Sequence, residues 1–201
     1  MTNARVARAA FNLITDIGAL NSDYWEPPMP QIDAFRKTRL AQEPEMVAAV
    51  MSAPERLVGV GFRCWLSGFQ TSDIGCWELA WDEMSRAVGP RAAKPLMSDL
   101  ASWVRAVQDA AERRIEVSPS GCRRFCRDEC LAISMVAACQ HSSCPAFRAC
   151  AVALLGSNEI EEAIDCADGF ARRLREANQM LSPGSVFMGA GLLTADVKGH
   201  G

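Results

Sequence analysis

Apolar side chains recur three and four residues apart along most of this chain, which is the spacing of one helix face. A first stripe covers residues 3–20, and further helices are predicted from residue 54 to residue 181. Ser52-Ala53-Pro54-Glu55 is a helix start, because serine caps a helix and proline fits its first turn. Gly89-Pro90 is a stop signal between two helices. The pattern predicts an all-α fold, a helical bundle of about six to seven helices.

Two segments lack this pattern. Tyr24–Pro30 contains three prolines, which exclude a helix and favour an extended segment with aromatic side chains. Residues 182–201 are Gly-rich and unpatterned, so we expect a disordered, flexible tail. The sequence therefore predicts one all-α domain over residues 1–181, with its Cys-rich part at 122–150, followed by that tail.

The middle of the chain is rich in tryptophan. The predicted helices at 74–88 and 90–110 are separated by a short connection and should form a hairpin. Trp77, Trp81 and Trp103 are expected to share its interface. Gly59 and Gly61 weaken the preceding helix, and we expect a neighbouring element to pack closely against them.

Charge and hydropathy exclude some classes of partner. The net charge is −3, so the chain has no strong field for nucleic acid. No segment reaches the roughly 18 apolar residues of a membrane span, and no signal peptide is evident at the N-terminus. The sequence thus indicates a cytoplasmic protein with a protein partner or a homo-oligomeric state, and no nucleic acid or membrane partner.

The chemical signal is a concentration of cysteines. The chain has nine, an odd number that is poorly explained by disulfides in a reducing compartment. Cys122, Cys126 and Cys130 are four residues apart and would form one row on a predicted helix 122–140. Cys139, His141 and Cys144 follow and could complete a ligand set. Thiolates in such a set would favour Zn, Cu(I) or an iron–sulfur cluster.

Other interpretations of the cysteines remain open. Free cysteines are common in buried helix faces, where they act as small apolar residues. Cys122 is the best candidate for a redox-active thiol, since it would lie at a helix N-terminus beside two arginines. As an enzymatic nucleophile it would need a base, and His141 is the one candidate.

Two functional hypotheses follow, and both favour a non-enzymatic protein. The first is an accessory or regulatory protein that binds a thiolate-ligated metal ion or iron–sulfur cluster. The second is a helical protein–protein interaction module, homodimeric in one form, whose cysteines are structural core. In the second, Tyr24–Pro30 and the tryptophan hairpin would supply the contact surface.

Overall fold

A computed structural model of the chain describes residues 51–188, apart from the side chain of Cys144. This range contains helices and no strand, so the predicted all-α bundle is confirmed there. Its six helices are α1 (Ala53–Thr71), α2 (Ile74–Val88), α3 (Pro90–Ala110), α4 (Arg127–Gln140), α5 (Cys144–Leu155) and α6 (Glu161–Glu176). The predicted helix at 3–20 and the segment Tyr24–Pro30 lie outside the described residues.

The first three helices begin and end where the local signals predict. Ser52 occupies the N-cap position of α1, but its hydroxyl contacts the Glu55 carboxylate and makes no capping hydrogen bond to the backbone. The Asp73 carboxylate accepts a hydrogen bond from Gly75 N at 2.9 Å and caps α2. Gly89 alone joins α2 to α3, with a φ of 82° that an L side chain rarely adopts. Its N–H donates to Ser85 O, which completes the end of α2.

Helix α4 lies at the centre of the bundle and is buried on almost every side. It packs against α1, α5 and α6, while α3 packs against α6, α2 and α1. Beyond its first turn, the sequence of α4 is apolar on every side except at Ser134 and Gln140, as expected for a helix with no solvent face. Two segments outside the six helices also contact it: the connector, residues 111–126, and the C-terminal strap, residues 179–188.

The tryptophans do not share one interface, so that prediction is wrong. Trp77 packs against Trp65 and Phe69 of α1, with ring centroids 5.9 Å apart in both pairs. Trp103 instead stacks on Phe170 of α6 at 5.5 Å and contacts Phe62 of α1 at 5.4 Å. The two rings therefore pack in separate aromatic clusters, and neither contributes an exposed contact surface.

The close packing predicted at the glycines of α1 is confirmed. A Cβ at Gly59 would lie 2.5 Å from the Phe125 ring, and one at Gly61 would lie 2.9 Å from Met84 of α2. These glycines let neighbouring side chains approach the α1 backbone directly.

The boundary of the predicted flexible tail is too early. Leu181, Ser185 and Val186 are buried, and residues 185–188 form a helical turn. Buried polar side chains from α1 and α4 hold this stretch, through Glu55 Oε1 on Ser182 N and Ser134 Oγ on Ser185 O. Ordered packing therefore reaches residue 188, and residues 189–201 lie outside the described residues.

Gly68→Ala should destabilise the fold by about 1–3 kcal/mol, because the new Cβ would lie 2.3 Å from Trp77 Nε1. The indole cannot easily move away, since Trp65 and Phe69 enclose it. Gly121→Ala is the matched control, because its Cβ would meet no atom within 4 Å. Denaturant unfolding measures both variants, and equal stability of the two would contradict this packing.

Candidate functional site

The predicted row of cysteines does not form, because α4 begins at Arg127 and not at Cys122. Cys126 is the N-cap of the helix in an extended conformation, and only Cys130 of the three lies within it. Cys122 belongs to an exposed turn, where its N–H donates to Pro119 O. The prediction of an i, i+4 row is therefore wrong.

A cluster of buried polar contacts around Arg63 and Glu129, called the hub below, explains why α4 begins at Arg127 and not at Cys122. Arg63 of α1 donates from Nε to Glu129 Oε1 at 2.5 Å, and both side chains are almost fully buried. The same guanidinium donates to the carbonyls of Cys122 and Arg124 at 2.6 and 2.7 Å. These carbonyls are thereby directed to α1 and are not available for helical hydrogen bonds. The Phe125 ring covers the guanidinium at 4.8 Å.

Glu129 completes the hub from the side of α4. Its carboxylate accepts hydrogen bonds from Cys126 N at 2.6 Å and from both the N–H and the hydroxyl of Ser118. The buried oxygens of the Glu129 carboxylate thus accept hydrogen bonds from the Arg63 guanidinium and from groups of the connector. The position in the first turn of α4 also favours a negative charge.

A second ion pair fixes the beginning of the connector. Arg113 makes a bidentate pair with Asp128, with Nη2 and Oδ1 2.6 Å apart. Asp128 also accepts from Glu116 N, and Arg113 donates to Ala153 O of α5. Two adjacent acids at the start of α4 therefore bind the connector across its length.

The thiols of Cys126 and Cys130 are protonated at neutral pH. Burial raises the pKa of Cys126 to about 11 and that of Cys130 to about 12. The Cys126 thiol donates to Glu116 O at 3.2 Å, and Cys130 is enclosed in the core. At Cys126, burial outweighs the backbone N–H groups at the start of α4, which would favour a thiolate.

The remaining predicted ligands lie at the other end of α4. Cys139 is half-buried against the core, and His141 donates from Nε2 to Leu181 O at 2.9 Å. Cys139 lies nine positions after Cys130 on the helix, a rise of roughly 13 Å. The structure therefore divides the six predicted ligands, Cys122, Cys126, Cys130, Cys139, His141 and Cys144, between two ends of one helix.

Among the described side chains, no group of three or more His, Cys, Asp or Glu could hold a metal ion. The Cys144 side chain is outside that description, so metal binding by the C-terminal set stays a prediction. Cys64 and Cys150 are buried in the core, and burial raises the pKa of each to about 11. Their environment is that of apolar packing residues.

Among the surface grooves of residues 51–188, two shallow ones lie near charged side chains. The larger, of about 280 Å³, is lined by Asp99, Gly169, Arg172, Arg173 and Glu176, and the Asp99–Arg173 ion pair lies across it. The smaller, of about 160 Å³, lies between the ends of α1 and α3 and the connector. Neither brings a nucleophile and a base together.

The strap carries the most exposed large apolar side chain of the described residues. Phe187 is 69% exposed and Met180 is 46% exposed, while Met188 is half-buried against the core. We call these three side chains the strap surface. Sequence reasoning missed it because residues 182–201 as a whole are Gly-rich and show no helical period. The apolar run Val186-Phe187-Met188 is the available signal.

Comparisons with known proteins identify no relative: no family model matches the chain, and no match was found among curated proteins or among solved structures. Within residues 51–188, no helix is long and apolar enough to cross a membrane.

Arg63→Ala should lower the free energy of unfolding by about 3–5 kcal/mol, because it leaves the buried Glu129 carboxylate without its cation. Arg148→Ala is the control. It removes an ion pair to Glu161 in which both side chains are mostly exposed, and it should change stability by less than about 1 kcal/mol. Urea denaturation measures the free energy of unfolding of both variants. Similar losses would show that the buried Arg63–Glu129 pair stabilises the fold no more than an exposed ion pair does.

Proposed function

We propose that this chain is a helical protein–protein interaction module that associates through the strap surface, with its cysteines as structural core. The exposed Phe187 carries the proposal. Large aromatic side chains contribute strongly to protein contacts, and exposed apolar side chains that are fixed in place mark such contacts.

The strap surface is exposed but firmly held. Gln140 donates to Gln179 O at 3.0 Å and accepts from Leu181 N at 2.8 Å. Glu55 binds Ser182 N and Ser185 Oγ, at 2.5 and 2.8 Å, on the other side of the turn. A surface held in one conformation loses little entropy when it binds, which favours affinity.

A second copy of the chain is the partner that we propose first. The net charge of −3 causes little repulsion between copies, and an apolar surface can pair with itself about a two-fold axis. The odd number of cysteines is what an intracellular protein with free thiols would have, and we propose the cytoplasm as its compartment.

The metal-binding hypothesis remains a second proposal without a favouring contact in the described residues. It is limited to a set that includes Cys144, and metal analysis of the purified protein tests it independently of association.

Phe187→Ser should weaken self-association of the full chain by roughly tenfold or more, since burial of a phenylalanine contributes about 1.5–3 kcal/mol. Sedimentation velocity over a concentration series measures the dissociation constant. Val152→Ser is the matched control, because Val152 is also exposed but lies on α5. Wild-type protein that never associates, or association that Phe187→Ser leaves unchanged, would contradict the proposal.

A further inference from the structure

The C-terminal strap lies in a socket whose polar groups belong to other elements. Gln140 of α4 donates to Gln179 O at 3.0 Å and accepts from Leu181 N at 2.8 Å. One turn earlier on α4, the Ser134 hydroxyl donates to Ser185 O at 2.7 Å. All three hydrogen bonds go to the backbone of the strap. Main-chain hydrogen bonds of this kind are how a binding groove holds a peptide segment.

Helix α1 supplies the other side of the socket. The Glu55 carboxylate is almost fully buried and accepts from Ser182 N and Ser185 Oγ. Leu181 and Val186 of the strap are buried in the core of the bundle. Removal of the strap would take hydrogen bonds from a buried carboxylate and expose apolar surface, and both changes are unfavourable. The socket therefore requires an occupant.

A single turn returns the strap to the socket of its own copy. Helix α6 ends in a Schellman motif, in which Asn178 N donates to Arg175 O at 3.0 Å and Gln179 N donates to Leu174 O at 2.8 Å. Asn178 has a φ of 57° in this motif, where glycine is the usual residue. The reversal of the chain thus depends on one residue in a conformation that most side chains disfavour.

We infer that the socket also accepts the strap of a second copy, so that two associated copies exchange their straps. If Asn178 leaves the left-handed region, the strap extends away from its own α4. The strap of a second copy has the same sequence and makes the same hydrogen bonds to Glu55, Ser134 and Gln140. Exchange keeps both sockets filled and gives up only the contacts of the Schellman turn.

This inference rests on the proposed association of two copies and gives that association a structural basis. Phe187 lies on the strap, so an exchanged strap carries it to the other copy. The socket specifies the partner, because its hydrogen bonds and apolar contacts match the strap of this chain residue by residue.

Asn178→Val in the full chain tests the turn. A β-branched residue strongly disfavours a φ of 57°, so this variant should associate at least about tenfold more tightly than wild type. Asn178→Gly adopts the same φ without strain and should associate no more tightly than wild type. Sedimentation velocity over a concentration series measures the dissociation constants.

Ser72→Val is the matched control for backbone strain. Ser72 has a φ of 58° in the turn between α1 and α2, which does not lead to the strap. Strain there should lower stability and leave the dissociation constant unchanged. Unchanged association of Asn178→Val, or an equal gain in Ser72→Val, would overturn exchange.

Nuclear magnetic resonance identifies the copy that fills each socket. Deuterated Asn178→Val protein with isotope-labelled amide nitrogens is unfolded and refolded together with unlabelled protein of the same variant. Overhauser effects from labelled amides to aliphatic protons then arise only between copies. The Leu181 and Ser182 amides, which donate to Gln140 and Glu55, should show them if straps are exchanged. Their absence in an associated sample would overturn exchange, whatever the stability of the variant.

The same spectra separate this inference from the proposed function. Contacts between copies at Phe187 alone would support association through the strap surface and overturn exchange. Contacts between copies at Leu181 and Ser182, with association that Phe187→Ser leaves unchanged, would support exchange and reject the strap surface as the contact.

Discussion

The buried pair of Arg63 and Glu129 is the interaction on which the architecture of this bundle depends. Helix α4 has no solvent face, and helices cover only part of it. The connector covers another part, and its backbone groups have few hydrogen-bond partners of their own. Glu129 and Arg63 supply those partners from inside the core, and in return the connector satisfies two buried charges. The Arg63–Glu129 ion pair and the conformation of the connector therefore stabilise each other.

The same principle operates at the opposite end of α4. Ser134 and Gln140 are polar residues in a buried helix, and each is satisfied by the backbone of the C-terminal strap. Glu55 adds the N-terminal junction to this arrangement. Cys130 and Cys150 are buried in the same core as small apolar side chains, and burial raises the pKa of each well above neutral pH.

The sequence predicts this fold well where local signals decide the structure. Asp73 and Gly89 set helix ends by their own chemistry, and Ser52 and Pro54 mark the start of α1 by position. The sequence predicts the structure poorly where hydrogen-bond partners are far apart along the chain. No local signal shows that Arg63 will take the carbonyls before Cys126 out of a helix, because the two lie about 60 residues apart. The strap likewise depends on Glu55, more than 120 residues earlier. The predicted helical row of Cys122, Cys126 and Cys130 fails for the same reason.

Native-state thiol labelling followed by peptide mass spectrometry tests most directly whether the cysteines belong to the fold. Reduced full-length protein is treated with an alkylating reagent, and the rate at each cysteine is measured with and without a chelator. The account predicts rapid modification of the exposed Cys122, and modification of Cys130 and Cys150 only at the rate of unfolding. Cys130 reacting as fast as Cys122, or a cysteine released by the chelator, would contradict it.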